Sequence, residues 1–97
     1  MGIIVELSIF PMDKGISVSP YVARVVNIIK ESGLSYDLNA MGTCMEGEWP
    51  DVMKVVDACF KDLQKDCGRI YLTMKGDYRK DRIGGLSGKV DSVRSQL

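Results

Sequence analysis

Residues 35–49, SYDLNAMGTCMEGEW, decide the fold. In their first half apolar and polar side chains alternate. Tyr36, Leu38 and Ala40 fall on one side, and Asp37, Asn39 and Met41 on the other. That period of two reads as a strand over 35–41. Gly42 permits a tight turn or bulge, and Thr43 to Glu46 make a short return strand. A helix begins near Trp49-Pro50, since proline suits a first helical turn. Two strands joined by a turn and followed at once by a helix form the centre of a larger pattern. The flanking segments identify it.

Upstream, residues 3–10 (IIVELSIF) form another strand. Ile3, Val5, Leu7 and Ile9 give one uniformly apolar face; Ile4, Glu6, Ser8 and Phe10 give a mixed one. PMDKG (11–15) breaks it. Ser19-Pro20 starts a helix, with serine as N-cap. Val18, Val22, Val25, Val26 and Ile29 follow its spacing, Lys30 sits in its last turn and Gly33 closes it. Downstream, the second helix carries Val52, Val55, Val56, Cys59 and Leu63 on one stripe, with Gly68 as its stop. RIYLTMK (69–75) makes a fourth strand. Leu86, Val90, Val93 and Leu97 recur at helical spacing in the tail, behind Gly84, Gly85 and Gly88, which fray the start.

The order is βαββαβ plus a final helix. It predicts an α+β, ferredoxin-like sandwich: one antiparallel four-stranded sheet with two helices on one face. The 97 residues make a single domain, 1–97. Only the last helix is left to cover the second face, which bears Ile4, Phe10 and Tyr71. A face this apolar predicts a homo-oligomer, sheet to sheet or edge to edge.

Composition narrows function. Thirteen basic and thirteen acidic side chains cancel, which argues against nucleic acid, whose phosphates call for clustered Lys and Arg. No apolar run approaches the roughly 18 residues of a membrane span, and no signal peptide opens the chain. Cys44, Cys59 and Cys67 form no CxxC pair and are expected as reduced thiols in a cytoplasmic protein. Cys59 belongs to the second helix's apolar stripe. There is no histidine, so Ser-His and Cys-His nucleophile systems are excluded within one chain, and the commonest zinc ligand is missing. No catalytic residue, metal or cofactor is expected; the alternatives are a structural or regulatory oligomer without a defined ligand and an enzyme of unknown reaction using Glu46.

Three stretches could hold a ligand. MGTCMEGEWP (41–50) reads either as a hairpin and helix start or as a pocket wall. In the first case Glu46, Glu48 and Asp51 complement the helix dipole. In the second, Thr43 and Glu46 project into a pocket that a neighbouring chain completes, with Met41, Met45 and Trp49 as soft or aromatic contacts. SVSPYVAR (17–24) is either plain capping or, through Ser17 and Ser19, a polar ligand site. KGDYRKDR (75–82) is a solvated turn with local ion pairs or reaches across an interface.

ELSIFPMDKGISVSPYVARVV, SGLSYDLNAMGTCMEGEWPDVMKVVDAC and RIYLTMKGDYRKDR together resemble the small YkoF-like thiamine-binding family. The resemblance spans residues 3 to about 82 and continues weakly in KVDSV (89–93). It implies a ferredoxin-like dimer or tetramer assembled through its sheets. It also implies a non-catalytic role, binding thiamine or its hydroxymethylpyrimidine part in the cytoplasm. Carried onto this chain, the family's motifs point to Ser8, Ser19, Thr43 and Glu46 as pocket residues, with Trp49 nearby. The chain departs from the family's pattern at Cys44, Pro50 and Gly76.

Overall fold

The structure, a computed structural model, describes residues 2–97. The first strand, β1 (Gly2–Pro11), leads through a loop to α1 (Ser19–Glu31). The hairpin is β2 (Ser35–Asn39) and β3 (Gly42–Gly47); α2 (Trp49–Gln64), β4 (Ile70–Arg79) and α3 (Gly85–Arg94) follow. All neighbouring strands run antiparallel, in the order β2-β3-β1-β4. This is the ferredoxin-like α+β arrangement with an added C-terminal helix.

Alternation along β1 sorts its side chains as expected. Val5, Leu7 and Ile9 are buried beneath the helices, together with Met45 of β3. From the helices come Val25 and Ile29 of α1 and the full expected stripe of α2: Val52, Val55, Val56, Cys59 and Leu63. Each such side chain, once buried, contributes about 1.5–3 kcal/mol. A polar clasp ties α1 to α2. The Arg24 guanidinium donates to the Asp62 carboxylate at 3.0 Å and the Asp66 carboxylate at 2.9 Å, and to the Asp62 carbonyl at 2.8 Å.

The elements differ from expectation at their ends. Serine 19 is not the N-cap of α1: Val18 occupies that position, with no side-chain hydrogen bond, and Ser19 is the first helical residue. Helix α2 ends at Gln64, four residues before Gly68, as Cys67 N–H turns back to the Leu63 carbonyl at 2.9 Å. Strand β4 continues four residues past Lys75. Its partner β1 is long enough to pair with it from Ile70 to Arg79, so the local turn signals at Gly76 and Asp77 are overridden. A Cβ at Gly76 would stand 2.9 Å from Ile3 Cδ1, the mobile end of that side chain, so a larger residue there asks Ile3 to shift.

The last helix, α3, lies on the second face against β3 and β2. It leaves the β1–β4 half open, where the Phe10 and Tyr71 rings lie 5.8 Å apart. On the helix side α1 and α2 pack over β1, β2 and β3, and β4 keeps Leu72, Met74 and Tyr78 exposed.

Candidate functional site

Strand β1 pairs with β3 only from Ile3 to Leu7, and the last pair is Leu7 with Thr43. Beyond it, Ser8 to Phe10 have β4 on one side and no strand on the other. The resulting notch lies between the hairpin tip and the start of α1. It holds a cavity of about 260 Å³ lined by Ser8, Phe10, Val22, Leu38, Met41 and Thr43, among others. Gly42 shapes its floor, since a Cβ there would press to 2.9 Å from the Leu7 carbonyl oxygen.

Thr43 is the one buried polar residue among those described, at 4% exposure. Its position opposite Leu7 turns it inward among apolar side chains. The hairpin's side-chain hydrogen bonds run elsewhere, from Asn39 Nδ2 to Cys44 Sγ and from Cys44 Sγ to Glu6. Thr43 is also part of the lining of this cavity, which contains no ionisable side chain.

A shallower groove of about 550 Å³ continues from this cavity along α1. It shares Val18, Val22, Leu38 and Ala40 with the cavity and adds Ser19. Ser8 and Thr43 therefore both line one cavity and Ser19 flanks its extension, but register turns the Thr43 side chain to the helix face and that of Ser8 to the second face.

The other two expected site residues lie elsewhere. Thr43 and Glu46 do not face a common pocket, because three positions separate them on one strand and odd spacing sends them to opposite faces. Register places Glu46 beside Ile4 on the second face. There its Oε2 accepts the Gly85 N–H at 3.0 Å and its Oε1 the Leu86 N–H at 3.3 Å, so the carboxylate caps α3. The buried Arg82 Nε stands 3.9 Å from the same carboxylate and has no hydrogen-bond partner. Trp49, at the far end of β3 from Thr43, is 57% exposed. Met45 faces the helices and is fully buried in the core, so it offers no ligand contact.

Several carboxylates are held by hydrogen bonds within the fold. Hydrogen bonds from Lys89 and Arg82 hold the Asp77 carboxyl below its ordinary range. Arg24 does the same for Asp66, and the Gly68 N–H for Asp13. Burial pushes the Cys59 thiol up to about 11. Burial, and then the Glu6 charge, also raises Cys44. Neither thiol has the lowered pKa of a reactive cysteine. Among the described residues there is no group of three or more metal-ligating side chains, and no helix is long and apolar enough to cross a membrane.

Sequence reasoning missed Val22 and Leu38 as cavity walls. Both had been assigned to apolar faces, and the signal for their second role was the early end of β3 relative to β1. That end cannot be seen in the alternation of either strand alone.

Comparison with known proteins adds a family. A family model described as "Thiamine-binding protein" matches residues 5–94. The UPF0045 protein MJ1052 of Methanocaldococcus jannaschii is 32% identical over 91 residues, covering 94% of this chain and 91% of that one. A UPF0045 protein of Synechocystis is 36% identical over 98 residues, with coverage of 100% and 81%. The crystal structure of the Methanocaldococcus protein superposes with a TM-score of 0.89 at 31% identity, covering 96% of each chain. A Thermotoga maritima protein provisionally assigned to thiamine biosynthesis or salvage gives a TM-score of 0.85 at 22% identity, covering 97% of this chain and 100% of that one. At that identity the likeness shows the fold alone. The family's description points to a binding protein with a thiamine-related role.

Proposed function

The chain belongs to the thiamine-binding protein family, and we propose that it is a non-catalytic cytoplasmic protein holding thiamine or its hydroxymethylpyrimidine part in the notch beside Thr43. The observation that carries this reading is Thr43, a buried polar residue in the lining of a cavity with apolar walls. Ligand sites combine apolar linings with a few convergent polar groups in this way. In this reading Thr43 hydrogen-bonds the polar edge of the pyrimidine, Val22 and Leu38 enclose its ring, the unpaired backbone of Ser8 to Phe10 lines the open side, and Ser19 borders the outer groove. Glu46 and Trp49 stand away from the cavity in the single chain and would reach a ligand only across a subunit boundary.

A homo-oligomer is part of the proposal. Strand β4 is a ten-residue edge strand with exposed apolar side chains on both faces, Tyr71 on one and Leu72, Met74 and Tyr78 on the other. Such an edge invites pairing with a second copy. A dimer joined at β4 extends the sheet and covers those side chains.

Isothermal titration with thiamine and with free hydroxymethylpyrimidine tests the function. Binding at micromolar or tighter affinity, about −8 kcal/mol or better, is expected for at least one of them. No heat with either would overturn the reading.

A further inference from the structure

We infer that the turn from β4 into α3 carries a second binding site, one for the phosphate group of a small anion, separate from the notch. Arg79, at the end of β4, pairs with Gly2, whereas the notch lies beside Ser8 to Phe10. At about 3.4 Å per residue, the two sites stand roughly 20 Å apart along β1.

The site is a cavity of about 380 Å³. Arg79, Arg82, Lys89 and Ser92 line it, and no carboxylate does. Two of these cations lean on a single oxygen: Arg82 Nη1 stands 3.0 Å and Lys89 Nζ 2.6 Å from Asp77 Oδ2. Arg79 has no salt-bridge partner among the described residues. Glu46, the other carboxylate near Arg82, spends its oxygens on the N–H groups of Gly85 and Leu86. Arg82 Nε is left buried without a hydrogen-bond partner, 3.9 Å from that carboxylate. The Arg82 side chain is only 11% exposed, so water screens its charge in the cavity wall little. Three positive charges thus share two carboxylates, neither of which reaches the lining. A phosphate dianion between Arg79 and Lys89 restores the balance through charge-assisted hydrogen bonds. The helix start itself is not the attraction, because Glu46 already takes its first N–H groups.

Glycine points to the same place independently. Gly84 has a left-handed φ of 64°. Gly85 makes room for the buried pair, since a Cβ there would stand 2.6 Å from Arg82 Nε. Gly88 has neither reason. It sits inside α3 without a positive φ, and an added Cβ would meet nothing within 4 Å. Alanine would favour the helix there. What Gly88 does is leave the flank of α3 bare where it lines the cavity, which lets an anion approach closely.

Inorganic phosphate and glycerol phosphate, each titrated at constant ionic strength into the labelled full chain, test the inference. Amide shifts of Gly84, Gly85, Gly88 and Lys89 should move saturably, at about millimolar affinity, while Ser8 and Thr43 do not respond. Tighter phosphate assigns the site to the free anion and tighter glycerol phosphate to a phosphorylated metabolite; both results support it. Sodium chloride at the same ionic strength should not reproduce the shifts. If it does, or if neither phosphate saturates in the millimolar range, the inference is overturned, whatever the notch binds. Two variants separate the site from the fold. Arg79→Gln removes an exposed cation and should weaken phosphate about tenfold. Gly88→Leu keeps every charge, favours the helix and puts bulk where the cavity is open. It should abolish the saturable shifts while amide exchange in α3 holds or slows. Phosphate affinity unchanged in either variant contradicts the inference.

Discussion

Thr43 and Glu46 show how one strand serves two purposes. Thr43 turns toward the helices and lines the cavity. Glu46 turns to the second face and spends both oxygens on backbone N–H groups of α3. Replacing Thr43 by valine keeps the shape and removes the hydroxyl. Ligand affinity should fall about five- to tenfold, the worth of one hydrogen bond near 1 kcal/mol. The melting temperature should hold or rise, because a buried polar group is lost. Titration and thermal melting of Thr43→Val check both halves. The two residues were visible in the sequence as a hydroxyl and a carboxylate near a strand end. Their separation onto opposite faces was written in the odd spacing, but proximity in sequence suggested a shared pocket. Spacing parity is the better guide, since one position along a strand reverses the side chain.

Among the elements, α3 is the most weakly held. Leu86 is half-buried, while Val90, Val93 and Leu97 are 44%, 60% and 96% exposed, so its apolar stripe leaves the sheet as the helix proceeds. Polar contacts fasten its start: Glu46 on the first N–H groups, and Asp77 joined to Arg82 at 3.0 Å and Lys89 at 2.6 Å. Glu46→Gln should loosen α3 by about 1 kcal/mol, the usual value of a helix cap, seen as faster amide exchange over residues 85–97. Exchange in β1 should not change. Acid should act on the same fastening. The folded-state pKa of Asp77 is depressed, so its stabilisation is complete above the unfolded value of about 3.9 and disappears as pH falls through the folded one. Asp77→Asn should flatten the acid dependence of α3 exchange, while the Arg24–Asp66 clasp keeps its own. Helix α2 was the most legible element, because five apolar residues at 3.6 spacing admit one buried face. The end of β4 was not legible. Gly76 and Asp77 carry turn chemistry locally, and only the length of β1 across the ladder keeps them in a strand.

For the whole molecule, the order of seven elements followed from alternation and spacing alone. The notch did not, since it arises from β3 stopping while β1 and β4 continue. Assembly follows from what the fold leaves bare. If β4 pairs with a second copy, Leu72→Lys with Tyr78→Lys should yield single-chain mass in sedimentation equilibrium, where the parent chain gives a dimer or tetramer. Charged side chains are the ordinary protection of sheet edges. A parent protein that already sediments as one chain would refute the pairing. The most direct test of the account, however, is the site itself. Amide and methyl chemical shifts should be followed as hydroxymethylpyrimidine is added to the labelled protein. Saturable changes concentrated at Ser8, Val22, Leu38 and Thr43, with α3 and Glu46 undisturbed, are the expected result. Changes centred instead on Glu46 and α3, or no saturable change at all, would contradict it.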